Sequence, residues 1–454
     1  MSLANERAVR IVSVEPYYSI ERPSGSFAFG NTTMGNLSLA HVRVRVADRS
    51  GREASGWGAI LLSHGWAFPG TSLTGETKDR LMRKLIGELG RQLVDAAAYR
   101  HPLDHFLTIE PELEHAVIDA GNDGFVELSH LASLVAWSPV DAAIHDAYGN
   151  LHGISSYDAL GPDYVSWDLG AVLGEAFAGR YLSDIVRSQP VTSLAVSHTV
   201  GAADPLTVEE KIGIYPSLTE WITTDGAFSF KVKLKGQHLE WDIERLVRVF
   251  DIASAQVNDV RIFGDLNEQG PSLAYIEALL DGVESRSPAA FAALDALEQP
   301  ASRHLGADAI DLSTVSARIP IVLDEGLTSL RSIDHAIALG WNGIALKTCK
   351  TQSLSLLALA KATELGMHVS VQDLTNPGVA LIQSLGLASR LPTIVPIESN
   401  QRQYFPDTSA PEAAAYPQSF TVQQGRASPP PATTGLAYGA LSHLDRAIFT
   451  NDLA

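Results

Sequence analysis

The chain has 454 residues, 45% of them hydrophobic and 19% charged, which predicts two or three packed domains and excludes disorder as the default. Its 33 basic against 52 acidic residues, a formal charge of −19, repel phosphate backbones, so nucleic acid is not an expected partner and a small acidic substrate needs local positive charge. The single cysteine, Cys349, excludes an internal disulfide framework and fits a reducing compartment. With no basic-then-apolar N-terminal segment and no long uncharged apolar run, the expected location is the cytoplasm, without a membrane partner.

Residues 8–62 read as a few antiparallel strands, because VRIVSVEPYY, LSLAHVRVRVAD and GWGAILL carry β-branched and aromatic residues between Gly-rich breaks. From Thr77 to about His152 the pattern is helical, and Leu81, Leu85, Leu89 and Leu93 share one face. Strands followed by helices predict an α+β domain over 1–152. Residues 153–190 lack periodicity and read as a connecting segment.

Over 191–404 short apolar strands alternate with amphipathic helices. Candidate strands end at Ser197, Lys233, Asp265, Glu298, Asp324, Lys347, Asp373 and Glu398, most of them 23 to 36 residues apart. Eight such units predict an α/β fold closed into a barrel. A doubly wound open sheet is the rival, but LAVSHTVGAADP lacks the Gly-rich phosphate turn such a sheet usually shows after its first strand. Residues 405–454 form a C-terminal extension. Its Pro-, Ala- and Ser-rich stretch to about Gly435 predicts an extended surface passage, and its last part is expected to pack back on the capping domain.

Barrel enzymes carry chemistry at the C-terminal ends of their strands. There, FSFKVKLKG alternates Lys231, Lys233 and Lys235 with apolar residues, which places three ammonium groups on one face, the interior of a barrel. The next three strands end in Asp265, Glu298 and Asp324, with Glu325 beside the last. A lone strand-end acid is usually a cap or a loop charge, but three in succession repel one another, and a divalent cation between them makes the cluster sustainable. All-oxygen ligation favours Mg²⁺ over zinc. The sixth strand ends in Lys347, across the barrel from the first lysines. Lys231, Lys235 and the cation would lower the proton affinity of Lys233 enough for it to serve as a base near neutral pH.

This order of lysine pair, Asp, Glu, Asp and lysine resembles the enolase superfamily, in its muconate-lactonising-enzyme-like (mandelate racemase/muconate lactonising enzyme) branch. The likeness spans nearly the whole chain, and SPVDAAIHDAYGNLHGISSYDALG looks like the helix that leads from the family's capping domain into its barrel. The resemblance implies a modified TIM barrel of (β/α)7β type behind an N-terminal α+β cap. It further implies Lys233 as second member of a Lys-x-Lys motif beside Lys231, Asp265, Glu298 and Asp324 as ligands of one Mg²⁺, and Lys347 as the opposing catalytic lysine. Two alignments stay open: Lys233 with Lys235 could form the pair, and Glu325 could replace Asp324, since alternation lets only one of the two point inward. By analogy with the family, a homo-oligomer is expected.

The chemistry implied is removal of a proton α to a carboxylate, with the enediolate charge stabilised by Mg²⁺. Racemisation or epimerisation, cycloisomerisation and β-elimination all follow from it. Candidate substrate-binding residues are His64 and Trp66 in SHGWAFPG, Asn267, Glu325, Asp373, Glu398 and Asn400, with the 24–36 loop as a candidate lid. Glu398-Ser399-Asn400 departs from the Asp-x-Asp of the related dipeptide epimerases, which disfavours that substrate. His368 stands at a strand's start and reads as structural. Rival readings are a Schiff-base aldolase working through Lys347 or Lys233 and a catalytically silent binding barrel.

Overall fold

β-Branched residues at alternate positions seed a three-stranded antiparallel sheet at the start of the chain. In the computed structural model, which describes residues 3–24, 28–29, 32–121, 124–213 and 215–439, strands β1 (Arg10–Glu21), β2 (Leu37–Ala47) and β3 (Glu53–Leu61) pair in that order. Helices α1 (Gly75–Ala96), α2 (Pro102–Glu114) and α3 (His130–His152) follow. Local chemistry marks their ends: the Thr74 and Ser129 side chains accept from the backbones of Thr77 and Ala132, and Pro102 opens α2. The Leu81, Leu85, Leu89 and Leu93 stripe of α1 is buried.

Helix α3 is buried on every side from Leu131 to Gly149. Strand β3 lies against it so closely that a Cβ at Gly56 would stand 2.1 Å from the Ala147 nitrogen, and one at Gly58 2.0 Å from the Pro139 carbonyl oxygen. We therefore expect Gly58→Ala to cost roughly 3 kcal/mol through overpacking. Urea denaturation measures it, and an unchanged midpoint would contradict this packing.

Eight parallel strands make the second body: β4 (Leu194–Val200), β5 (Ser229–Lys233), β6 (Arg261–Asp265), β7 (Leu294–Glu298), β8 (Ile321–Leu323), β9 (Gly343–Lys347), β10 (His368–Gln372) and β11 (Ile397–Glu398). Neighbours pair in parallel from β4 to β10, and β11 pairs with β4. The Ile394 N–H donates to the Val369 carbonyl at 2.8 Å, joining the β11 edge to β10 and closing the barrel. Most connections carry a helix, among them α4 (Leu218–Asp225), α5 (Leu239–Ser254), α6 (Leu273–Arg286), α7 (Leu330–Ala338), α8 (Gln352–Glu364) and α9 (Val379–Arg390). The fold is a modified TIM barrel behind an α+β cap, and the open doubly wound alternative is excluded by closure. The cap is bolted to the barrel through α3 and α8, where the buried Asp141 carboxylate accepts from the Ser353 backbone and hydroxyl at 2.9 and 2.7 Å.

Two expectations are corrected, and the connecting segment between them proves well packed. The first barrel strand runs on to Val200 instead of ending at Ser197, because the Gln403 amide satisfies the buried Thr199 backbone, accepting from its N–H at 3.3 Å and donating to its carbonyl at 2.9 Å. The aperiodic 153–190 stretch packs tightly through Tyr157, Leu160, Val165, Leu169, Phe177 and Leu182, in short helical turns that repetitive patterning does not reveal. The Pro-rich passage after Phe405 is no surface strap: Tyr416, Val422, Ala427, Leu436 and Tyr438 are buried. Within it Arg426–Ala427 pairs antiparallel with β4, and the Leu436 N–H donates to Asp146 on α3 at 2.8 Å. The expected final stretch, 440–454, lies outside the described residues.

Candidate active site

Strand periodicity builds the barrel interior in layers. Phe263, Ala296, Val322 and Ala345, one from each of four adjacent strands, cluster with Val395 as an apolar floor. Two residues further on stand Asp265, Glu298, Asp324 and Lys347, none more than 4% exposed. Strand β5 adds Lys231, buried above Phe263, and Lys233 nearer the mouth.

Lys231 is the hub. Its ammonium donates to Glu298 Oε1 at 3.0 Å, Gln372 Oε1 at 3.0 Å and Glu398 Oε2 at 3.1 Å, and lies 3.2 Å from Asp265 Oδ2. Lys233 donates to the same Asp265 oxygen at 2.5 Å. From the far wall Lys347 donates to Asp324 Oδ2 at 2.8 Å and comes within 3.9 Å of Glu298. Lys350 donates to Asp324 Oδ1 at 2.9 Å. The three strand-end acids thus share their neighbours: Lys231 spans Asp265 and Glu298, and Lys347 spans Glu298 and Asp324.

These contacts divide the carboxyl groups sharply. Burial raises Asp324, but Lys347 and Lys350 outweigh it and hold the group well below the usual carboxylate range. Lys233 and Lys231 likewise override burial at Asp265. Glu298, between two acids, is pushed up to about 8 by burial and by the charges of Asp265 and Asp324, despite Lys231. Lys347 is held in its ammonium form, since Asp324 outweighs the opposing effect of burial.

Ammonium groups supply positive charge among the acids: Lys231 and Lys233 contact Asp265, Lys231 contacts Glu298, and Lys347 contacts Asp324. Among the described residues no three Asp, Glu, His or Cys side chains are grouped so as to hold one metal ion as they stand. The donor chemistry fits a hard dication, because buried carboxylate oxygens come from the ends of three neighbouring strands, Asp265, Glu298 and Asp324.

Lys235 is not in the interior. The chain leaves strand geometry at Leu234, the Lys235 N–H donates to Asp242 at 2.7 Å, and its ammonium sits 3.9 Å from the Trp241 ring centroid. It therefore neither pairs with Lys233 nor acts on it as a charged neighbour. Asp324 and Glu325 are both buried facing the mouth, contrary to strict alternation, because β8 ends at Leu323 and both residues occupy the turn beyond it. Glu325 accepts from Trp66 Nε1 and Asn267 Nδ2, each at 3.0 Å. Asn267 also donates its backbone N–H to Asp265 Oδ1 at 2.8 Å.

Trp66 arrives from the cap, its ring centroid 5.1 Å from the Lys347 ammonium. His64, two residues earlier, turns away from the barrel and lines a separate cavity in the cap. Glu398 accepts from Thr199 and Asn400, and Asn400 Nδ2 also reaches Thr199 Oγ1. Asp373 folds onto its own loop, accepting from the Leu374 and Asn376 backbones. His368 opens β10 at the opposite end from the acids. Of the candidate lid only its flanks and Ala28–Phe29 and Thr32–Thr33 are described; the Ser24 N–H donates to the Tyr404 carbonyl at 2.7 Å.

Sequence reasoning missed Lys350 and Gln299. Lys350 follows Lys347 by three residues, one helical turn, and that spacing was the available signal. Gln299 is buried with φ +36°, and its amide oxygen accepts from the Asp324 and Gly326 backbones at 2.8 and 3.3 Å, fixing the turn that presents Asp324. Nothing in the sequence pattern shows that.

Residues 217–438 match the family described as Enolase C-terminal domain-like. That match covers just under half of the chain, so the likeness to the enolase superfamily is carried by the barrel. Among solved structures it is similar to the muconate lactonizing enzyme of Pseudomonas fluorescens complexed with muconolactone, at 16% identity and TM-score 0.62 over 94% of this chain and 96% of that one. It is similar also to 2-chloromuconate cycloisomerase of Rhodococcus opacus 1CP, at 18% and 0.63 over 94% and 96%. A third is the L-Ala-D/L-Glu epimerase of Bacillus subtilis, at 16% and 0.62 over 94% and 98%. At such identities these likenesses speak for the fold. No curated protein matches the sequence. Among the described residues no helix is long and apolar enough to cross a membrane.

Proposed function

We propose that the protein is an isomerase that removes and returns a proton on the carbon next to a carboxylate of a small organic acid, with one divalent cation, Mg²⁺, as cofactor. The observation that carries this reading is the opposition of two lysines. Lys233 on β5 and Lys347 on β9 stand four strands apart in a closed barrel of eight, each tied to a different strand-end acid. The solved structures of similar fold include a cycloisomerase and an epimerase, both named for isomerisations.

Asp265, Glu298 and Asp324 would hold the cation. When bound, it would place positive charge opposite the substrate carboxylate as that group takes on negative charge in the transition state. The chain's own groups do the rest. One lysine takes the α-proton from its face of the substrate and the other delivers a proton on the opposite face, and the pair returns to its starting protonation by exchange with solvent once product has left. Lys231, locked among Glu298, Gln372 and Glu398, keeps the floor of the site positive and dry without moving a proton. Trp66 covers Lys347 and shields its ammonium from bulk water.

The test is a screen of carboxylic acids in D₂O for deuterium incorporation at the α-carbon. Dialysis against EDTA is expected to abolish incorporation and Mg²⁺ to restore it. A keto acid trapped on the protein by borohydride after EDTA treatment would instead support Schiff-base chemistry.

A further inference from the structure

The oxygens of the three strand-end acids are divided in the same way on each. One oxygen is held by a donor fixed in place. Asp265 Oδ1 accepts from the Asn267 backbone N–H at 2.8 Å, Glu298 Oε2 from the Gln372 amide at 2.6 Å, and Asp324 Oδ1 from the Lys350 ammonium at 2.9 Å. The other oxygens, Asp265 Oδ2, Glu298 Oε1 and Asp324 Oδ2, face ammonium groups that they share. Lys231 lies 3.2 Å from the first and 3.0 Å from the second, and Lys347 lies 3.9 Å from the second and 2.8 Å from the third.

Lys350 and Gln372 are fixed because every hydrogen they can donate has a partner. An ammonium carries three, and Lys350 faces Asp324 Oδ1, the Asp324 carbonyl at 2.6 Å and the Ala345 carbonyl at 3.5 Å. The Gln372 amide nitrogen donates to Glu298 and to the Ser370 hydroxyl at 3.0 Å, while its oxygen accepts from Lys231 at 3.0 Å. Both residues are 1% exposed, so neither has bulk water to turn to. Lys233 and Lys347 are held more lightly, each donating to a single carboxylate oxygen.

A carboxylate with one oxygen so held offers a cation only the other. Mg²⁺ suits such an arrangement, since it takes near-octahedral ligands and keeps several waters, whereas Ca²⁺ takes more oxygens and gains from carboxylates that offer both. We propose that Lys350 and Gln372, neither of them a ligand, set the choice of dication. By holding the far oxygens of Asp324 and Glu298 they confine each acid to one-oxygen ligation and so favour Mg²⁺ over Ca²⁺. The inference rests on Asp265, Glu298 and Asp324 being the ligands in the proposed function.

The experiment is calorimetric titration of the full chain with Mg²⁺ and with Ca²⁺, and its reading is the ratio of the two dissociation constants. The unaltered protein is expected to bind Mg²⁺ the tighter. In Lys350→Met, Asp324 is free to offer both oxygens, and the Ca²⁺-to-Mg²⁺ ratio should fall by about tenfold. Loss of the lysine's charge strengthens both ions alike and cancels in the ratio. Gln372→Leu, which changes no charge, should move the ratio the same way by about threefold or more. If the two residues merely support the fold, both ions weaken together and the ratio keeps its original value in both variants, which overturns the proposal. Melting curves in EDTA establish that the variants fold, and Gln372→Leu carries the test if Lys350→Met does not. Mg²⁺ binding with unchanged ratios rejects this inference alone, whereas an unaltered protein that binds neither ion rejects the metal reading and this inference with it.

Discussion

Lys347→Ala is expected to lower turnover by roughly 10²–10⁴-fold, the usual contribution of a positioned proton carrier, while one stereoisomer of the substrate still exchanges its α-proton with solvent through Lys233. Lys233→Ala should give the mirror result, with exchange confined to the other stereoisomer. The reasoning is geometric, since the two ammonium groups approach from strands on opposite sides of the barrel and lean on different carboxylates. Proton NMR of each stereoisomer in D₂O reads both faces separately. If the two variants retain exchange equally on both faces, the lysines are not the proton carriers and the site works by other groups.

Lys231→Met is expected to lower stability by roughly 3–5 kcal/mol, because removing one partner of a buried ionic network leaves the others uncompensated. Glu298 and Glu398 would each lose a direct ammonium contact, and Asp265 would keep only Lys233. Lys235→Met supplies the contrast on the same segment: its ammonium rests on the Trp241 ring outside the barrel, so a change of about 0.5–1 kcal/mol is expected. Urea denaturation in EDTA compares the two. Similar losses would mean that Lys231 is no more central to the barrel than a surface lysine.

The fold was legible wherever a period was strong. The Leu81 to Leu93 stripe, the alternation in FSFKVKLKG and the regular return of apolar strands each report burial on one face, and burial on one face is what folding enforces. Strand ends carrying Lys233, Asp265, Glu298 and Lys347 could be read because an apolar run stops where a charged residue meets the barrel mouth. Less legible were segments held by particular contacts. Residues 153–190 pack through scattered apolar side chains, and the passage after Phe405 threads back through single bonds such as Leu436 to Asp146, neither of which leaves a repeat in the chain.

Composition and order along the chain determined by themselves the class of fold, the succession of acids and lysines, and the need for positive charge at the site. Which of those groups meet was decided only in three dimensions. Lys235 swung out to Trp241 while Lys231 became the hub, Glu325 turned inward beside Asp324, and Lys350, Gln299 and Trp66 joined from a turn, a strained backbone position and another domain. The physical reason is that periodicity encodes which side of an element is buried, whereas contacts between ends of different strands depend on closure and on turns where periodicity lapses.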